Sequence, residues 1–206
     1  MEPAELDRFA RLSIPFRGRC QNAPGNEAIW MFGFSIGGVS VRWRSVIMSE
    51  YLNIGLESKA RAGVVSLLQP LLSDLVVLSA KNRAAHWGIH GLHFASLHAL
   101  FGSQYESIES EIDEVAERIR SLGHVPVATL GGLLAGARLK DGEVIGLSPV
   151  EQVKALLADH EALIRSLRAA ATTADEEYCD AGTNDFLVGL MASHEKSAWM
   201  LRASAA

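Results

Sequence analysis

Cysteine is scarce: Cys20 and Cys179 stand far apart, with no Cys-x-x-Cys spacing. That usage fits a reducing cytoplasm and implies neither a disulfide framework nor a thiolate zinc site. A basic excess is also missing. The net charge is −5, which argues against a body that binds nucleic acid by electrostatics alone. No apolar stretch reaches the ~18 uninterrupted residues of a membrane span, so no membrane partner is expected. No Gly-rich phosphate loop, Gly-x-Ser-x-Gly elbow or Cys-His pair rises above background. What is present is a hydrophobic content of 49%, enough for one domain with a sizeable core.

Residues 1–47 differ from the rest. Six arginines (Arg8, Arg11, Arg17, Arg19, Arg42, Arg44) face four acids (Glu2, Glu5, Asp7, Glu27), a balance of +2 that leaves −7 for the remainder of a −5 chain. The apolar run from Ala28 to Val41 is too short for a bilayer and sits too far from the start for a secretory signal. Three readings stand side by side. The stretch is a poorly ordered extension; it is a basic arm that touches DNA; or it lies upstream of a true start at Met48.

From Glu57 the pattern is helical. Val64, Leu68, Leu71, Leu75 and Leu78 recur at helical intervals, with Pro70 interrupting the backbone ladder. This helix is expected to reach Trp87, where Gly88 and Gly91 break it. A second runs from Phe94 to Leu122, with Gly123 at the C′ position and Pro126 forbidding continuation. Residues 127–139 have room for only a short helix. Ser148-Pro149-Val150-Glu151 is a capping box opening a third long helix to about Ala174. A fourth starts near Thr183, read as its N-cap. No strand pattern appears in 48–206. Together these predict an all-α, four-helix bundle with a short helix in the connection between the second and third helices, as in ferritin-like bundles with one long crossover.

The chemistry concentrates between His86 and Glu117. Two imidazoles and two carboxylates, His86, His98, Asp113 and Glu117, suit iron, manganese or zinc. Asp113 and Glu117 are four apart, so on a helix they project from one face. His98 precedes Asp113 by fifteen residues, about 22 Å along a helix axis. One metal cannot reach both within a subunit. Either these residues do unrelated things, or a second copy running antiparallel brings His98 of one chain to Asp113 of the other. Alone, Asp113 and Glu117 beside Arg118 and Arg120 would read as a salt-bridged helix face. The residues three before each histidine are Arg83, Trp87, His90, Ala95, Ser121, Leu157 and Met191. None is Glu, so the Glu-x-x-His pairs of intrasubunit di-iron bundles are absent. His86 and His90 have the outer spacing of a zinc-protease helix but lack its Glu. His90, His93 and His124 read as surface or loop histidines, His160 and His194 as structural.

Several stretches carry a resemblance. They are Lys81-x4-His86-Trp87, Phe94-x2-Leu97-His98, Ile112-Asp113-Glu114-Val115-Ala116-Glu117-Arg118-Ile119 and Leu122-Gly123. Leu156-Leu157-Ala158-Asp159-His160-Glu161 and His194-Glu195-Lys196-x-Ala198-Trp199 follow. Over about residues 48–203 the chain resembles the Dps family, the ferritin-like mini-ferritins of bacteria, so residues 48–206 are expected to form a ferritin-like domain. The resemblance implies a cytoplasmic, hollow homo-dodecamer, with nucleoid association where DNA is bound. It implies a ferroxidase centre between two subunits, one supplying histidines and the other Asp and Glu. His86, Asp113 and Glu117 then match primary iron ligands, and His98 the histidine of a second iron position. The implied reaction oxidises Fe(II), preferentially with hydrogen peroxide, and stores ferric iron, protecting the cell from oxidative damage. Trp87 then serves as an interface aromatic or as an electron source. The alternative is a cage that binds or shields DNA with weak iron chemistry; a dimeric or unassembled scaffold is the third reading.

One departure stands out. The family pattern has an Asp one turn after the second histidine, where this chain has Gly102. Loss of that carboxylate implies a weaker or slower centre, or a single-iron site. Ala84, Ala85 and Gly88 also stand where bulkier or polar residues are common in the family.

Overall fold

The computed structural model describes residues 52–205; the expectations for residues 1–47 and Met48 lie outside them. Five helices follow in order: α1 (Ser58–Gly88), α2 (Phe94–Ser121), α3 (Leu130–Gly136), α4 (Pro149–Glu176) and α5 (Ala181–Ser204). Among the described residues there are no strands. The expected helix order holds throughout, including the short helix in the middle connection.

The stops follow from local chemistry. Gly91 and Gly123 take left-handed backbone, φ +86° and +84°, which only glycine adopts freely. The first lets the chain turn from α1 into α2, and the second closes α2. At the start of α4 the Ser148 side chain accepts from Glu151 N–H while the Glu151 carboxylate accepts from Ser148 N–H. The carboxylate also accepts from the Ser148 hydroxyl, and this bond, then the one from Ser148 N–H, lowers the Glu151 pKa. The α5 start differs from expectation. Thr183 lies within the first turn, and Asp180 is the N-cap, accepting from Thr183 N–H at 2.9 Å. An Asp caps as well as a Thr, and here the carboxylate also accepts from the Arg118 guanidinium of α2 at 3.1 Å.

Packing joins α1 to α2 and α4 to α5. Contacts between α1 and α4 hold the two pairs together, and α2 meets α5 only lightly. Lys81 pairs with Asp159, while Gly63 near the start of α1 lies against Tyr178 beyond the end of α4. Therefore α4 runs antiparallel to α1 and parallel to α2, and the connection carrying α3 must cross the length of the bundle. Asp74 anchors that crossover. Its buried carboxylate accepts from the backbone N–H of Arg138 at 2.6 Å and of Leu139 at 2.9 Å, and from the Arg138 guanidinium. The core stripe is the expected one: Val64, Leu68, Leu71, Leu75 and Leu78 of α1 are buried. Phe101, Ile108, Val115 and Ile119 of α2 are buried with them. Each such burial contributes about 1.5–3 kcal/mol. By length and composition α1 is apolar enough to cross a membrane; in this fold its apolar face is the bundle core.

Candidate metal centre

The α1–α2 turn places His86, in the last turn of α1, against His98, in the first turns of α2. Their ring centroids are 3.7 Å apart at 33°. His86 Nδ1 lies 2.8 Å from the His98 carbonyl oxygen. A carbonyl only accepts, so Nδ1 carries the proton and Nε2 keeps its lone pair. Ligating histidines are commonly oriented in this way, through the nitrogen that does not bind the metal. Tyr105, two turns further along α2 than His98, meets the His86 ring edge-on at 5.4 Å. Arg83 lies over the Tyr105 ring at 5.2 Å and pairs with Glu109 at 2.9 Å. Gly102 is buried beneath this group. A Cβ there would stand 3.2 and 3.3 Å from His86 Cε1 and Nδ1, so the missing side chain is what lets the imidazole settle onto α2.

Asp113 and Glu117 lie further along the same helix, both exposed. The salt-bridged alternative does not hold for them. Arg118 binds Asp180 and Thr183, and Arg120 donates to the His124 carbonyl. Neither carboxylate has an ion-pair partner among the described residues. The structure therefore brings His86 to His98, and Asp113 to Glu117, without bringing the two pairs together. Among the described residues no group of three His, Cys, Asp or Glu side chains within the chain could hold a metal. Each pair by itself offers two donor side chains. Neutral imidazole with carboxylate suits first-row divalent metals, iron among them.

The remaining histidines divide as expected. His90 and His93 are exposed. His124 is half-buried, and burial together with Arg61 lowers its pKa. His160 and His194 are fully inside the bundle, Nδ1 to Nδ1 at 2.8 Å. His194 Nε2 is 2.9 Å from Glu111 Oε2, and Ser193 donates to Glu111 Oε1 at 2.7 Å. Burial, then the neighbouring His194, pushes the His160 pKa down to about 3. The sequence reading missed Tyr105 and Glu111. Glu111 carries a faint signal: it falls on the buried face of α2, three residues after Ile108 and four before Val115.

Comparison with known proteins bears on the fold and the family. The ferritin-like domain family matches residues 65–205. An uncharacterized low temperature-induced protein of Nostoc sp. (strain PCC 7120) is 43% identical over 73% of this chain and 84% of its own length. The DNA protection during starvation protein of Brevibacillus brevis is 36% identical over 68% of this chain and 93% of its own. Among solved structures, a Dps protein from Bacillus brevis aligns with a TM-score of 0.69 and 32% identity, covering 73% of this chain and all of that one. The Vibrio cholerae Dps protein, described as a member of a broad superfamily of ferritin-like diiron-carboxylate proteins, aligns with a TM-score of 0.70 and 28% identity. That match covers 75% of this chain and 96% of the other. Fold and relatives agree: the chain belongs to the Dps family of ferritin-like proteins.

Proposed function

We propose that this protein is a ferroxidase and iron-storage cage: a cytoplasmic homo-dodecamer that oxidises Fe(II) with hydrogen peroxide and sequesters the ferric product. The observation that carries the reading is the division of the donor set. His86 and His98 sit together at one end of α2, and the unpaired Asp113 and Glu117 sit about 22 Å along it. Only a second copy, related by a two-fold axis, completes the site. Apolar side chains frame the histidine half: Trp87 is 70% exposed and Leu92 95%. Exposed apolar side chains clustered like this mark an interaction surface, and a second subunit would cover them. Trp87 then becomes an interface aromatic.

The chemistry follows from the donors. His86 offers Nε2, held in place through its Nδ1. Carboxylates from the partner subunit balance the charge that iron gains on oxidation. Each ferrous ion gives up one electron and peroxide takes a pair, with protons completing water. Gly102 supplies no ligand, so the centre works more slowly than one with a further carboxylate. Mixing Fe(II) anaerobically with peroxide tests the reading. The His86→Ala, Asp113→Ala double variant should oxidise iron at least about tenfold more slowly than wild type, since even outer groups around metal sites are worth 10–100-fold. Equal rates would overturn the proposal.

A DNA-shielding role has a separate basis. Relatives bear the name DNA protection during starvation protein, and a repeated cage surface adds weak contacts. With residues 48–206 at −7, the arginines of residues 1–47 are the segment suited to phosphate. A gel shift at low salt should vanish when those residues are deleted. A shift that survives the deletion assigns DNA contact to the body instead.

A further inference from the structure

We propose that the groove between α1 and α4 binds a phosphate group, free or as a small phosphate ester, through Arg138 and Arg165. The groove is separate from the histidine centre. Pro70 on its wall precedes His86 by sixteen residues, about 24 Å along α1.

Small side chains open the groove. Ala162 and Ala169 of α4, with Pro70 of α1, line a cavity of about 430 Å³, a size typical of small-molecule sites. Arg138 and Arg165 line the same cavity. The helix register explains their meeting. Asp159 lies beside Lys81 and Tyr178 beside Gly63, which sets Asp74 level with about Ser166. Arg138 is tied to Asp74 Oδ2 through Nε at 2.8 Å and Nη2 at 2.6 Å. That fixes the guanidinium plane and leaves Nη1 and one Nη2 proton unused. Arg165 has no ion pair or side-chain hydrogen bond among the described residues. The Ser166 and Thr173 hydroxyls also line the cavity, and neither is hydrogen-bonded among the described residues.

Charge selects an anion. Residues 58–73 of α1 and 162–173 of α4 contain no Asp or Glu. The carboxylate at the groove, Asp74, is buried and already accepts four hydrogen bonds. Two guanidinium groups against that one carboxylate leave +1, in a body of −7. Guanidinium N–H groups pair with phosphate oxygens, and hydroxyls add further donors. A recess of this charge suits one phosphate group. Tight binding along DNA takes a row of cations, about 6–10 phosphate contacts, and this groove offers two arginines.

Calorimetric titration of the metal-free, full-length protein in low-salt chloride buffer tests the proposal, with inorganic phosphate and glycerol 3-phosphate as separate probes. Without metal, phosphate has no iron to bind. The expected result is one phosphate group per subunit, displaced by sulfate. Tighter binding of inorganic phosphate assigns the site to the free ion, and tighter binding of glycerol 3-phosphate assigns it to an ester; either supports the proposal. Arg165 is exposed, so Arg165→Gln opens no core cavity, and native mass would check assembly. That variant should weaken binding at least about tenfold. Arg165→Lys should recover part of the loss, because it restores the charge without the planar fork. Arg168→Gln, on the same helix but engaged with Glu195 outside the groove, should change nothing. No binding, or binding untouched by Arg165→Gln, would overturn the proposal. Equal losses in Arg165→Gln and Arg168→Gln would overturn it as well, by showing diffuse charge rather than a site. A duplex DNA gel shift that depends on Arg165, with neither phosphate probe bound, would overturn it by assigning the groove to DNA.

Discussion

Chains carrying His86→Ala and chains carrying Asp113→Ala are each expected to be nearly inactive in Fe(II) oxidation, and to recover about a quarter of wild-type activity when unfolded and reassembled together in equal amounts. The arithmetic follows from a two-fold interface, where every contact occurs twice. In a mixed dimer, one site joins the two altered residues. The other joins an intact His86 to an intact Asp113. Random pairing makes half the dimers mixed, and half of their sites are whole. A site contained within one chain would show no recovery, because each chain would carry its own defect. The same holds if the carboxylates act elsewhere. Simple mixing of preassembled particles is the control: it should restore nothing until the subunits exchange. The experiment separates a shared centre from two unrelated clusters, the fork that the length of α2 imposes. Because His86 and Asp113 both lie on surfaces that the monomer leaves partly or wholly exposed, neither substitution opens a core cavity, and the loss is one of chemistry rather than of folding.

Most of the bundle was legible in the residues because its signals are local. The apolar period of α1, the Ser148–Glu151 box and Gly123 each determine structure within a few residues of themselves, and each appears where expected. The start of α5 was read less well. Thr183 and Asp180 are both good caps, and the choice between them depends on Arg118, sixty-two residues before Asp180 in sequence. No local rule sees that partner. The metal centre divides in the same way. That His98 and Asp113 cannot share an ion within one chain follows from helix rise alone. That Gly102 makes room for the His86 ring does not, because it depends on how α1 returns against α2. In sequence Gly102 registers only as a missing carboxylate. In the fold it is also the floor on which the first imidazole rests. The His160–His194 contact was likewise half visible. Both residues fall within apolar helical stripes, which marks them as buried. Their meeting, and the third member Glu111, need the crossover that makes α4 parallel to α2.

That buried pair governs the second large effect, on stability in acid. His160 is fully enclosed, and its pKa is held down to about 3 from an ordinary 6.5. The folded protein therefore keeps His160 neutral under conditions where the unfolded chain takes up a proton. For a depressed pKa the stabilisation is complete above the unfolded value and is lost as pH falls toward the folded one. The window here runs from about pH 6.5 down to about pH 3. Within it the unfolded state binds one more proton at this residue, so stability falls by about 1.4 kcal/mol per pH unit. Between pH 6.5 and 5 that amounts to about 2 kcal/mol, a large part of the 5–15 kcal/mol that holds an ordinary domain together. Asp and Glu side chains titrate lower, near pH 4, and contribute little above pH 5. Urea midpoints measured at pH 7, 6 and 5 should therefore decline for wild type. A His160→Gln variant, which keeps an amide donor for His194 and has no proton to gain, should start less stable at pH 7 and lose less on acidification. The two curves should converge toward pH 5. Parallel curves would mean that the acid response comes from elsewhere in the bundle, and that the His160–His194 contact serves packing alone.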